Sequence, residues 1–383
     1  MSRKTETIPL PATSPGTSRH LTVWRWGTPG ARPKVYFQSA LHADEWPGIM
    51  ASHHLSALLD KAEARGEIQG EIIMLPYANP VGLSQSVNDR VLGRFRLADG
   101  GGNFNRDWPD LSPAVLEAVR DKLGNNRDEN LNIMRKALLE VVSKLPEESE
   151  KDAHRKALLG LSVDSDYVFD LHCDWEAMLH LYSHAEHEDI TMELACDMGV
   201  PVVMLDTGLV GGPFDETHAN PWVTVRKELG LNKDALPPAC FSTTVELRGQ
   251  CDVSDELGSL DAANMYRFLI RRGVISGDAD DLPKALCKPS PLDAIDMFTA
   301  PREGLIAWKK QLGDIIEVGD LLAELIDITE PDLSKARTPV YAQQSGLLFA
   351  VHTDRLVRPG TIMGKISGHE PLAHRQGAQL LSN

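Results

Sequence analysis

A chain of 383 residues, 42% apolar and 25% charged, can bury a full core and exceeds the usual size of one compact domain, which excludes a disordered or fibrous protein. Its 55 acidic side chains against 39 Lys and Arg give a formal charge of -16, the wrong sign for displacing counterions from a nucleic acid. No stretch approaches the roughly 20 apolar residues of a membrane span, and the first residues lack the apolar segment of a secretory signal. A cytoplasmic protein with neither nucleic-acid nor membrane partner is expected. Cys173, Cys196, Cys240, Cys251 and Cys287 form no Cys-x-x-Cys pair, so they read as small core residues and not as a disulfide or thiolate framework.

In chain order, "HLTVWRWG" alternates like a strand and "PKVYFQSA" is a short apolar run of strand formers. Apolar residues at helical spacing from Pro47 to about Arg65 predict a helix ending at Gly66, and "GEIIMLPYANP" predicts the next strand. Strand, loop, helix, strand is the rhythm of an α/β sheet with crossover helices, whose functional groups gather outside the carboxyl ends of strands. His42 falls there. The charged tract of about residues 110–165 reads as a helical insertion, entered at Ser112-Pro113 and continued from Asp128 by an apolar stripe that includes Met134, Leu138 and Val142. Strands resume at "DYVFDLH", "PVVMLD" and "CFSTTVELRG". After the linker "GDADDLPKALCKPSPLDAID", the segments beginning at Gly304 and Gly346 resemble each other, each returning to a turn glycine, Gly319 or Gly360. The expected division is an α/β domain over residues 1–290 and a small all-β module over residues 291–383.

The chemistry is carried by four separated motifs. In "HADEW", a histidine that ends a strand and a glutamate that begins a helix can face one point, and two histidines with one glutamate are a standard catalytic zinc set. His172 in "YVFDLHCD" ends a buried strand in the equivalent position, and Asp170, two residues earlier, shares its face and can orient the imidazole. Taken alone, His172 reads equally as a core histidine satisfied by a carbonyl. His184 and His187 in "HLYSHAEHED" are a rival pair in polar, loop-like surroundings. Glu246 in "FSTTVELRG" is the candidate for the non-ligand carboxylate that moves protons, with pairing to Arg248 as the plainer alternative. In "GGGNFNRDWPD", Asn105 and Arg106 suit a carboxylate clamp, and one of Arg90, Arg94 and Arg96 can polarise a carbonyl. The glycine run has neither the P-loop lysine spacing nor the dinucleotide pattern.

Taken in order, "HADEWPG", "NFNRDWPD", "DLHCD" and "VELRG" resemble the zinc-dependent succinylglutamate desuccinylase and aspartoacylase family, which is related to the zinc carboxypeptidases. The resemblance implies a mixed central sheet flanked by helices, one Zn2+ per chain held by His42, Glu45 and His172, a carboxylate held by Asn105 and Arg106, and Glu246 as general base. It further implies hydrolysis of the amide bond of a small N-acylated amino acid. The glycine run displaces the family pattern, and Arg96 is chosen for the carbonyl-polarising role. The C-terminal module resembles a biotinyl/lipoyl-like barrel sandwich without its Met-Lys tip; Lys335 lies in a long polar loop, so an unmodified cap or assembly surface is expected, with room for a homo-oligomer. A zinc carboxypeptidase acting on peptides is the second reading, and an inactive binding or carrier protein the third.

Overall fold

The computed structural model describes residues 3–97, 101–207, 212–373 and 375. The first part of the chain runs β1 (Lys4–Leu10), β2 (Arg19–Gly27), β3 (Lys34–Ser39), helix α1 (Pro47–Arg65), β4 (Glu71–Leu75), the single turn α2 (Pro80–Leu83) and a small hairpin of β5 (Ser86–Val87) and β6 (Arg90–Val91). Helices α3 (Ser112–Val119), α4 (Arg127–Ser143) and α5 (Glu150–Ser162) fill the predicted insertion. The sheet then resumes with β7 (Tyr167–Asp174), the short β8 (Glu176–Ala177), β9 (His180–His184), α6 (Glu188–Met198), β10 (Val202–Asp206), α7 (Phe214–Glu228), β11 (Phe241–Gly249), α8 (Asp255–Arg271) and β12 (Ser290–Pro291).

Nine of these strands make one mixed sheet in the order β1-β2-β4-β3-β7-β11-β9-β10-β12. Its middle, β4-β3-β7-β11, is parallel, so the carboxyl ends of β3, β7 and β11 emerge side by side. All eight residues of β7 are buried, and the two-residue period divides them between opposite faces. Tyr167, Phe169 and Leu171 join Leu55, Leu59, Met265 and Phe268 in the layer under α1 and α8, whereas Val168 joins Val115, Leu138, Leu158 and Trp222 under the other helices. Asp170, His172 and Asp174 continue the Val168 row, where the apolar layer gives way to polar groups. The insertion thus packs as the second helical layer, with Met134, Leu138 and Val142 buried in it.

One reading is corrected and one strand is added. The segment "HLYSHAEHED" is no loop: its first half is β9, an interior strand paired on both sides, and its second half enters α6. Of the acidic residues that suggested a loop, Glu188 and Asp189 occupy the first turn of α6, where negative charge complements the helix dipole, and Glu186 lies in the 3-10 turn before it. Residues 4–10 also form a strand, at the sheet edge, where polar and proline residues are tolerated.

Beyond β12, after a single 3-10 turn at Leu292–Ala294, come the strands β13 (Ile295–Thr299), β14 (Gly304–Trp308), β15 (Ile315–Ile316), β16 (Leu321–Ile326), β17 (Arg337–Tyr341), β18 (Gly346–Val351), β19 (Leu356–Val357) and β20 (Ile362–Ser367). The two similar segments lie in two sheets and exchange their short strands, β15 pairing with β18 and β19 with β14. Gly319 and Gly360 both turn at positive φ, 87° and 82°. These strands enclose their own apolar cluster, which includes Ile316, Leu322, Leu348 and Met363. They also grip the large sheet's polar end: β18 pairs with β8, and Arg355 bonds Glu176 at 2.6 Å.

Candidate active site

The main chain is bent hard where β3 ends. Ala40 adopts φ 55°, a left-handed conformation costly for a residue with a Cβ, and the turn delivers His42 to the sheet edge. Three residues on, Glu45 precedes the first turn of α1. That helix sits close because position 48 is glycine: a Cβ there would lie 2.9 Å from the side chains of both Ser39 and Leu171. His172 comes from the neighbouring strand β7, and its register partner on β11 is Glu246.

Side-chain atoms of His42, Glu45 and His172 lie within 4.8 Å of one another, and all three residues are buried. Glu45 bridges the two rings, with Oε1 2.9 Å from His42 Nδ1 and Oε2 2.7 Å from His172 Nδ1. On the far side of each ring another acceptor waits: Asn103 Oδ1 lies 2.6 Å from His42 Nε2, and an Asp170 oxygen lies 2.9 Å from His172 Nε2. Asp170 is itself fixed by a 2.9 Å bond from Gln38, which accepts from Tyr36 at 2.8 Å. If each Nε2–H donates outward, each Nδ1 lone pair points at a carboxylate oxygen. Acceptors so close require a positive charge between them, and a divalent cation satisfies both rings at once. The donor set therefore fits a metal ion: two imidazoles, one carboxylate, and outer partners that hold the rings in the ligating tautomer.

The electrostatics follow the same logic. Burial acts to raise the Glu45 pKa, but His42, His172 and Arg94 outweigh it and hold the carboxyl well below its ordinary range. Burial and Arg94 push His42 down; at His172 burial is outweighed by Asp170 and Glu45, and its pKa rises.

The three residues open into a cavity of about 780 Å³, counted out to its mouth. Glu246 lines it, one carboxylate oxygen has no hydrogen-bond partner among the described residues, and burial together with Glu45 pushes its pKa up to about 8. The alternative pairing with Arg248 is not found: a left-handed turn at Arg248, φ 65°, sends that guanidinium to Asp261. Asn105 and Arg106 also line the cavity. The Asn105 side-chain oxygen accepts the Phe214 N–H at 2.7 Å, which ties it to the start of α7, and its amide nitrogen lies 3.2 Å from His172.

The arginine is corrected. Arg94, not Arg96, reaches the cavity, where it pairs with Glu45. The reason is a close main-chain contact: Gly93 O accepts the Ala43 N–H at 3.1 Å, and a Cβ on Gly93 would lie 2.4 Å from that of Ala43. Arg96 turns instead to the glycine run, donating to the Asn103 carbonyl at 3.3 Å. Arg90 is exposed and does not line the cavity. The rival histidines do not converge either. His184 and His187 are buried with ring centres 6.2 Å apart, and the His187 Nε2 lies 3.0 Å from the Pro238 carbonyl.

Several lining residues were not singled out in the sequence. Asp174 continues the alternation of Asp170 and His172, a signal present in "DLHCD". Lys365 had none: it comes from β20, is 3% exposed, pairs with Asp174, and places Nζ 5.2 Å from the centre of the Trp175 ring. Asp206, Asp215 and Glu216 bring acid to the cavity from the end of β10 and the first turn of α7.

Fold and site together define a mixed α/β protein with a buried metal-type donor group at the carboxyl ends of parallel strands. Residues 31–258 match the model of the succinylglutamate desuccinylase/aspartoacylase catalytic domain, and the chain belongs to that family. It is 23% identical over 365 residues to N-alpha-acetyl-L-2,4-diaminobutyric acid deacetylase of Halomonas elongata, covering 88% of this chain and 83% of that protein. A family structure from Shewanella frigidimarina aligns with a TM-score of 0.85 at 22% identity, over 96% of this chain and 97% of its own. The product-bound ectoine utilization protein EutE (DoeB) of Ruegeria pomeroyi aligns at 0.66 and 17%, over 97% and 96%. Among the described residues, no helix is long and apolar enough to cross a membrane.

Proposed function

We propose that this chain is a zinc-dependent deacylase that hydrolyses the amide bond of a small N-acylated amino acid. The observation that carries the reading is the convergence of a His-Glu-His donor group with a buried, elevated-pKa carboxylate, Glu246, one oxygen of which is unpartnered among the described residues, on one cavity. His42, Glu45 and His172 would hold the ion, which supplies Lewis acidity when bound. Glu246 takes a proton from the attacking water and returns it to the departing amine nitrogen. Arg94 takes the place assigned to Arg96, presenting positive charge toward the carbonyl oxygen as it gains negative charge. Asn105 and Arg106 hold the substrate's carboxylate away from the reacting bond, which positions that bond. Asp170 keeps the His172 ring aimed.

A peptide substrate is the weaker reading, because Leu292 and Lys365 line the cavity from the side of the C-terminal strands. An inert carrier is weaker still, since so many buried charges without a ligand would burden the fold for no return. The kinship with zinc carboxypeptidases, the division at about residue 290 and the barrel-sandwich character of residues 291–383 belong to the same proposal. Metal analysis of the purified protein, followed by amine-release assays on N-acetyl, N-succinyl and N-formyl amino acids and on dipeptides, tests it. About one zinc per chain with release from acyl amino acids is expected; cleavage of dipeptides alone would transfer the assignment to a carboxypeptidase.

A further inference from the structure

The two histidines of the donor group are held unequally. His42 Nε2 meets the Asn103 Oδ1, an acceptor that can only take a hydrogen, so its tautomer is settled. His172 Nε2 meets two neighbours of opposite kind. Asp170 Oδ2 lies 2.9 Å away, close enough to accept though off the line of a hydrogen bond, and Asn105 Nδ2 lies 3.2 Å away as a donor. The Asn105 amide does not turn round to resolve this, because its oxygen accepts the Phe214 N–H at 2.7 Å. The neighbours therefore ask for opposite tautomers. If Nε2 carries the hydrogen, it serves Asp170 and Nδ1 keeps the lone pair that faces Glu45; if Nε2 accepts from Asn105, the hydrogen sits on Nδ1, which then has nothing to offer a metal. Whatever fixes Asp170 decides the ring.

Gln38 is placed to do so. It is the register partner of Asp170 across β3 and β7, and its Nε2 donates to Asp170 Oδ1 at 2.9 Å. Its own orientation is set at the other end, where the hydroxyl of Tyr36, two residues back on the same face, donates to Oε1 at 2.8 Å. Reversing the amide would press its oxygen against the carboxylate. Tyr36, Gln38 and Asp170 are fully buried, so bulk water does not compete, and each bond polarises the next. Donors thus run one way, from phenol to amide to carboxylate, and hold the second Asp170 oxygen beside the ring nitrogen.

We infer that Gln38, oriented by Tyr36, is a positioning residue for the metal: by holding Asp170 it selects the acceptor over the donor at His172 Nε2 and leaves His172 Nδ1 free to ligate. The inference rests on the metal-site reading and extends it to side chains that touch no ligand atom. A consequence falls on Asn105. With a hydrogen already on Nε2, the Asn105 N–H has no acceptor in that ring and stays available to a ligand in the cavity that Asn105 lines.

The test uses the full chain, stripped of metal and titrated with zinc against a competing chelator, with the visible spectrum of the cobalt-loaded protein as a second readout. Gln38→Met is expected to weaken zinc binding by about tenfold and to shift the cobalt bands, and Tyr36→Phe to weaken it by a smaller factor. Introduced beside Asp170→Asn, Gln38→Met should add almost nothing, because the amide acts through that carboxylate. A core glutamine that only satisfies its own hydrogen bonds would lower the unfolding temperature of the metal-free protein and leave zinc affinity alone. Wild-type affinity in Gln38→Met therefore overturns the inference, as does a full tenfold loss when Asp170→Asn is already present. If Gln38→Met does not fold, Tyr36→Phe decides: weaker zinc binding that vanishes beside Asp170→Asn supports the inference, and unchanged binding overturns it. A wild type that takes up no zinc removes the metal reading and this inference with it, whereas a wild type that takes it up while the variants bind as tightly removes the inference alone.

Discussion

Two regions meet at the cavity, and they were built by different rules. The carboxyl edge of β3, β7 and β11 brings His42, His172 and Glu246 together because parallel neighbours in register end at the same place. The C-terminal strands reach that edge by docking, through the β18–β8 pairing and the Lys365–Asp174 ion pair. At the first, sheet register sets the site and the turn after β3 and the entry to α1 complete it; at the second, a strand pairing and one buried side chain make the contact, and nothing in the nearby sequence prepares for Lys365. If this contrast is right, substitutions at the sheet edge abolish chemistry, those at the docking contact impair it, and those at the exposed rim of the contact do neither.

The largest effect belongs to Glu246→Gln. Turnover is expected to fall by about 10²- to 10⁴-fold, the usual range for a positioned acid-base group, while metal content stays at one per chain. Metal analysis beside steady-state kinetics checks both halves. The pH profile sharpens the test. A base must be ionised, and burial with Glu45 favours the neutral acid up to about pH 8 in the metal-free site. Positive charge at His42, Glu45 and His172 draws the value down, toward about 4.3 for an exposed glutamate. The wild-type kcat/KM should rise with pH through an acid limb between those limits, and near-normal turnover in the glutamine variant would remove Glu246 from the mechanism.

The arginines come next. Arg94→Met is expected to lower kcat by about 10²-fold, having lost the positive charge proposed to face the reacting oxygen, whereas Arg96→Met should cost less than about threefold, because Arg96 braces the glycine run. Single-turnover rates for both variants decide it, and a reversed order restores Arg96 to the role first given it.

How much of this was legible traces to the range of the forces involved. Helix α1 runs from Pro47 to Arg65 as read, because proline at the first turn and glycine at the left-handed cap are local signals. The end-of-strand placement of His42 and His172 follows from short apolar runs, which are local too. Choosing Arg94 over Arg96 required knowing that Gly93 lies against Ala43, a contact between segments fifty residues apart. Strand β9 was hidden because the acidic, polar residues that follow it resemble a loop in composition. Lys365 was beyond reach, since nothing near residue 365 in the sequence mentions Asp174. The repeat of the C-terminal segments was visible, but not that each half lends a strand to the other's sheet.

Lys365→Met probes the docking contact itself. Asp174, 6% exposed, would keep its charge without its partner, and removing one member of a buried pair typically destabilises by about 3–5 kcal/mol. Because Asp174 ends the strand that carries His172, turnover should also fall, by about ten- to a hundredfold, through misplacement. The double variant Lys365→Met with Asp174→Asn removes both charges and should recover most of the lost stability, whatever becomes of activity. Thermal unfolding of the two singles and the double closes the cycle, and strictly additive losses would show that the pair is not coupled.

The smallest effect is expected a few residues away. Arg355 bonds Glu176 from the same C-terminal strands across the same contact, yet its side chain is 38% exposed and that of Glu176 44%. Water screens such a pair, and ordering two long side chains offsets most of its attraction, so Arg355→Gln should change stability by less than about 1 kcal/mol. Turnover should match the wild type, because the β18–β8 pairing at Ala350 and Val351 still holds the strands in place. A thermal shift beyond a few degrees in low salt that vanishes at high salt would mean that this rim pair carries the docking, and the distinction between a buried anchor and a solvated rim would have to be redrawn.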